Sequence, residues 1–226
     1  MPFANASEQG KHLFILSGQS NMVRLNPDIS FTPAVTKEFG EGNVIVVKDA
    51  SGGQSIRRWY KRWESTKGKI SNSNGDLYIR LMNKVNSATK GNEIITITFV
   101  WMQGEWDAAD GYGEIYEDSF KGLMEQLKVD LNRNDINFVI GRISDFDMNN
   151  NIHRHWTKVR KIQVDLAESN LRGKWLDTDD LNDGIDKSGN IIKNGLHYSV
   201  KGYWMLGNRF AEKAIELIKS DNGIGK

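Results

Sequence analysis

Leu13-Phe14-Ile15-Leu16-Ser17-Gly18-Gln19-Ser20-Asn21-Met22 changes character halfway along. Its first half is a short, unbroken apolar run, the pattern of a strand buried on both faces of a parallel sheet. Its second half is small and polar. Gly18 permits a sharp backbone bend, which would leave Ser20 at the carboxyl end of the strand, where open α/β sheets place their sites. A serine held there and followed by helix-start amides is a candidate nucleophile with part of its oxyanion hole built in. From this stretch alone, an ordinary Ser/Asn turn is the better-supported reading.

The same alternation continues outward. Apolar, β-branched runs recur at His12–Ser17, Asn43–Asp49, Glu93–Met102 and Ile136–Ile143, with a weaker one at Lys174–Asp177. Helical spacing lies between and after them. Ile115, Tyr116, Phe120, Leu123, Met124, Leu127 and Leu131 form one face, and Trp156, Val159, Ile162, Leu166 and Ala167 a second. The second follows Asn149-Asn150-Asn151, a candidate cap. Ser199 caps a third pattern through Tyr203, Leu206, Phe210, Ala214, Leu217 and Ile218, and Asp76–Val85 reads as a further helix. Ser65–Gly75 and Asp177–Gly195 read as loops. Strands alternating with helices predict an α/β chain, a three-layer α/β/α sandwich around a five-stranded parallel sheet. At 226 residues, without repeat or linker, one domain spanning 1–226 with its core at about 11–220 is expected.

Composition removes whole classes of function. Lys+Arg is 30 against Asp+Glu 29, so no charge excess argues for nucleic acid or an anionic membrane. Cysteine is absent, which removes disulfides and thiolate chemistry. No apolar run reaches the roughly 20 residues that span a bilayer. Met1–Gly10 lacks the charged and apolar regions of a signal peptide. The address stays open between cytoplasmic and, after loss of a leader, extracellular or periplasmic.

Three further segments fall at strand ends or just beyond. Asp49-Ala50-Ser51-Gly52-Gly53-Gln54-Ser55-Ile56 carries adjacent glycines, and Gly53 is a plausible main-chain oxyanion donor. In Trp101-Met102-Gln103-Gly104-Glu105-Trp106-Asp107, Gln103 could turn an amide donor toward the same oxyanion. Glu105 and Asp107 are carboxylates close by, and Trp106 offers a platform on which a sugar stacks. Asn194-Gly195-Leu196-His197-Tyr198-Ser199 places His197 just before a helix cap. Of the four histidines, His12 opens the first strand and His153 and His155 sit near a helix start, so His197 is the best-placed general base for Ser20.

Together these blocks resemble the SGNH (GDSL-like) hydrolase superfamily, and within it the carbohydrate esterases that include sialate O-acetylesterases and acetylxylan esterases. The resemblance runs from Gly18 to about Ala211, with the motifs in the family's order. Gly18-Gln19-Ser20-Asn21-Met22 looks like the nucleophile block, and Gly52-Gly53-Gln54-Ser55-Ile56 like the second block, whose glycine supplies an oxyanion amide. Gln103-Gly104-Glu105-Trp106-Asp107 is similar to the third block, where glutamine replaces the asparagine of other members. His197, with Tyr198-Ser199 and Gly202-Tyr203, resembles the last block, which supplies the base. The resemblance implies the flavodoxin-like SGNH fold. It also implies a serine esterase acting on an acetylated carbohydrate, with an oxyanion hole of Ser20, Gly53 and Gln103 and with Trp106 against the sugar.

One position departs from the pattern. Members commonly carry an aspartate three residues before the histidine, and here that residue is Asn194. Asparagine can orient an imidazole but cannot stabilise the imidazolium as a carboxylate does. Three arrangements remain: Glu105 as the acid, the favoured one, since the resemblance includes members that use a carboxylate from the third block; an aspartate among Asp177, Asp179, Asp180 and Asp186; or a Ser–His dyad with a main-chain carbonyl as orienter. No cofactor or metal is expected. Asp177–Gly184 is not an EF-hand loop, because Leu181 and Asn190 fall where ligands belong, and no zinc motif is present. The α/β-hydrolase elbow would need glycine in place of Met22. Two other functions stay open: a glycan-binding module that has lost catalysis, and an esterase for non-sugar short-chain esters. Trp59, Trp63, Arg57 and Arg58 lie near the second block, with core anchoring and a solvated helix face as their plainer roles.

Overall fold

The computed structural model describes residues 10–64 and 73–223. Five parallel strands, β1 (Lys11–Gly18), β2 (Val44–Ala50), β3 (Ile94–Met102), β4 (Asn137–Gly141) and β5 (Gly173–Leu176), form a sheet in the order β2-β1-β3-β4-β5. The helices are α1 (Ser20–Arg24), α2 (Phe31–Phe39), α3 (Asp76–Thr89), α4 (Glu105–Asp110), α5 (Gly113–Leu131), α6 (Trp156–Glu168) and α7 (Val200–Gly223). This is the expected α/β architecture with an all-parallel five-stranded sheet between helices. No helix among the described residues is long and apolar enough to cross a membrane.

Both faces of the sheet are buried, which is why the strands read as continuous apolar runs. On one face Phe14 meets Phe31 and Phe39 of α2, and α2 packs on α7. On the other, Trp101 meets Phe120 of α5 and the buried Trp59, and α5 packs on α6. The predicted stripe of α7 is buried from Tyr203 to Ile218. Ser199 caps it as expected, its hydroxyl accepting the Gly202 N–H at 3.0 Å.

Several boundaries moved for identifiable reasons. The cap of α6 is not the Asn run, because the helix starts only at Trp156. Asn150 nevertheless accepts the Thr157 N–H at 3.0 Å, satisfying a first-turn donor from across the loop. Within Asp177–Gly195, read as loop, β6 (Gly184–Ile185) pairs antiparallel with β7 (Ile191–Ile192). The short α1, α2 and α4 carry too few turns to show a period. Of Ser65–Gly75, residues 65–72 lie outside the described part.

The topology itself creates the site. The chain leaves β1 for β2 on one side and then crosses to β3 on the other, so a switch point opens between β1 and β3. In register, Gly18 lies between Ala50 and Met102, which brings the residues following all three strands to one rim.

Candidate active site

Ser20 owes its position to Gly18. With φ at +143°, a Cβ on Gly18 would lie 1.9 Å from the Met102 carbonyl oxygen, so only glycine lets β1 run this close to β3 before turning. The Gln19 N–H then donates to that same carbonyl at 2.8 Å, and the chain enters α1 at Ser20. His197 comes from the loop between β7 and α7. Its Nε2 lies 3.1 Å from Ser20 Oγ, although the two residues are 177 positions apart. Burial, and then the charge of Arg24, hold the imidazole below its ordinary pKa of 6.5. At neutral pH the ring is therefore uncharged and can accept the serine proton.

Two main-chain N–H groups in the loops that follow β1 and β2 have no main-chain acceptor among the described residues. The Ser20 N–H heads α1, where no preceding turn supplies an acceptor. Gly52 lies beside the serine, its Cβ position 3.8 Å from Ser20 Cβ. Gly53, at φ +63°, packs against the Trp106 ring, and among the described residues its N–H has no acceptor. Gln103 is arranged differently from the expectation. It is fully buried, and its Nε2 donates to Asp107, to the Gln54 carbonyl (3.0 Å) and to Gln19 Oε1 (3.3 Å). Both of its N–H groups are thus engaged by the protein, and the amide braces the second loop rather than presenting a free donor. Asp107 completes that brace, accepting from Ser55 Oγ at 2.7 Å and from the Ile56 N–H at 2.9 Å. Burial pushes the Asp107 carboxyl up to about 6 against the pull of these bonds.

Glu105 is not the acid partner of His197. Among the described residues no carboxylate lies within salt-bridge distance of that ring, whose only hydrogen bond is to Ser20. Glu105 Oε1 accepts instead from Asn21 Nδ2 at 2.8 Å, and Oε2 has no partner. Burial pushes this carboxyl up to about 7. The alternative aspartates are also committed elsewhere: Asp177 and Asp179 to Arg142, Asp179 also to Arg160, Asp180 to Arg209, and Asp186 to the 188–190 turn. Asn194 sits in the left-handed region at φ +46° and turns toward Asn182 and Asp183. What remains is a Ser–His pair without a carboxylate.

Trp106 is 45 % exposed at the rim, whereas Trp59 and Trp63 are buried in the core. Arg58 forms a bidentate pair with Asp76, and Arg57 donates to Ser73, so both serve the loop. His12, His153 and His155 engage Thr96, Asp147 and the Gly113 N–H, respectively. No group of three metal-ligating side chains occurs among the described residues. A cavity of about 320 Å³ lies between α5, α6 and the start of β4, at the opposite end of the strands from Ser20. The residues that sequence reasoning passed over are Asn21 and Tyr203, which stood inside quoted motifs without a role of their own.

A model of the carbohydrate esterase, sialic acid-specific acetylesterase family matches residues 22–216, beginning just past Ser20. An Arabidopsis thaliana protein superposes with a TM-score of 0.68 at 20% identity, covering 92% of this chain and 99% of its own. A carbohydrate acetylesterase from Xanthomonas citri superposes at 0.61 with 13% identity, over 88% of this chain and 55% of that one. The aryl esterase of M. smegmatis superposes at 0.57 with 14% identity, over 92% and 99%. At these identities the likeness is one of fold. No curated protein sequence matches the chain.

Proposed function

The chain belongs to the carbohydrate esterase family of sialic acid-specific acetylesterases, and from that premise we propose that it hydrolyses O-acetyl esters on a carbohydrate through an acetyl-serine intermediate. The observation that carries this reading is the 3.1 Å approach of an uncharged His197 to Ser20. His197 Nε2 takes the Ser20 proton as Oγ bonds to the acetyl carbon. The developing oxyanion meets the Ser20 and Gly53 N–H groups. Collapse breaks the bond between carbonyl carbon and sugar oxygen, and the imidazolium returns its proton to the departing hydroxyl. Water, deprotonated by the same ring, then releases acetate. Without a carboxylate behind it the imidazolium is stabilised less than in a full triad. The enzyme therefore depends on how well the ring is held.

Trp106, exposed beside Gly53, supports a sugar ring as the leaving group, since pyranose faces stack on indole. A retained nucleophile and base speak against a binding module that has lost catalysis. The test is acetate release from O-acetylated sialic acid and acetylated xylan. Wild type should turn over at least one of them, and Ser20→Ala should lose nearly all activity. A Ser20→Ala variant as fast as wild type would end the proposal.

A further inference from the structure

His197 lacks a carboxylate orienter, yet its loop is not loose. The residue next to the nucleophile holds it on both sides. Asn21 Nδ2 donates to the Leu196 carbonyl at 3.2 Å, one peptide before His197. Asn21 Oδ1 accepts the Tyr203 hydroxyl at 2.8 Å, and that hydroxyl in turn accepts the Tyr198 N–H at 3.3 Å, one peptide after His197. The second Nδ2 proton goes to Glu105 Oε1 at 2.8 Å. Leu196 offers only an acceptor here, so the amide can sit in one orientation.

Asn21, Glu105, Tyr198 and Tyr203 are each 3 % exposed or less. Water therefore does not compete for the bonds among these four residues, and breaking one leaves its partner unpaired in a dry setting, while the Leu196 carbonyl is half-buried. Serine and clasp also share one short helix: Ser20 and Asn21 are its first two residues. A shift of the clasp moves nucleophile and base together.

We propose that Asn21 is the positioning residue of the base, clasping the backbone on both flanks of His197, and that Glu105 acts by anchoring the Asn21 amide rather than as a charge partner of the imidazole. The inference rests on the serine esterase reading. It assigns to hydrogen bonds beside the ring the orienting task that a carboxylate performs through Nδ1 in a triad.

The test is steady-state hydrolysis of p-nitrophenyl acetate, with kcat expressed per folded molecule by near-UV circular dichroism. Asn21→Ala should lower kcat by about 10- to 100-fold, the usual effect of losing an orienting partner, with KM within about twofold. Tyr203→Phe keeps the ring and removes only the hydroxyl, so it decides the matter should Asn21→Ala fail to fold. It should lower kcat in the same sense, and the double variant should be no worse than Asn21→Ala alone. Glu105→Gln preserves an acceptor for Asn21 and should rescue most of the kcat that Glu105→Leu loses. Full kcat per folded molecule in Tyr203→Phe would overturn the proposal. So would a fall of about 10⁴-fold in Glu105→Gln, the mark of a lost charge partner. A failure of the esterase reading looks different: wild type would be inert, or Ser20→Ala would match it.

Discussion

Glu105→Gln isolates the energetic cost of keeping a carboxyl dry beside the nucleophile helix. In the unfolded chain this group titrates near 4.5, and in the folded protein burial pushes it up to about 7. A raised carboxyl pKa means that the folded state prefers the protonated form. Its stabilising contribution is complete below pH 4.5 and is lost as pH rises through 7. Each tenfold in the proton equilibrium is about 1.4 kcal/mol. Between pH 5 and pH 8 the wild type should therefore lose about 2–3 kcal/mol that the glutamine variant retains. Glutamine keeps an acceptor for Asn21 and carries no charge, so the substitution leaves packing and network in place. The assay is urea unfolding of both proteins at pH 5 and pH 8, read as the change in their stability difference. The histidines titrate in both proteins and cancel in that difference, whereas Asp107, pushed up to about 6, cancels only in part because its charge also raises Glu105. Parallel pH profiles for the two proteins would refute the reasoning, because Glu105 would then be ionising as freely as it does in water.

Three other perturbations reach separate parts of the structure. The acid limb of kcat/KM should fall with an apparent pKa below 6.5, since burial and Arg24 hold His197 down; Arg24→Gln should move that limb upward, and a limb above 7 in the wild type would contradict the assignment. Gly18→Ala places a Cβ 1.9 Å from the Met102 carbonyl at φ +143°, so it should destabilise by on the order of 3 kcal/mol or more, seen as a lower urea midpoint. Trp106→Ala should raise KM for an acetylated glycan about two- to tenfold, in line with the worth of an aromatic contact, and more than it raises KM for p-nitrophenyl acetate.

How much of this was legible in the residues follows from the range over which each signal acts. The apolar run ending at Gly18 announced a buried parallel strand, because a strand covered on both faces leaves no polar alternation. Ser20, Gly53, Trp106 and His197 could be nominated because strand-end position follows from the pattern. The orientation of a buried side chain does not. Gln103 and Glu105 have the right chemistry at the right rim, but burial turns Gln103 toward Asp107 and Gln54 and Glu105 toward Asn21. Asn21 and Tyr203 carry no chemical signature of their own. Their role arises from contacts spanning 175 and 182 positions, which one sequence cannot display. The short helices α2 and α4 and the β6–β7 hairpin escaped for the opposite reason, being too brief to establish a period.

The most direct measurement is the site of covalent capture. After treatment with a fluorophosphonate, peptide mapping by mass spectrometry should place a single adduct on Ser20, and His197→Ala should suppress its formation. An adduct on another residue, or continued ester hydrolysis by protein whose Ser20 is fully blocked, would contradict the assignment of Ser20 as a nucleophile activated by His197.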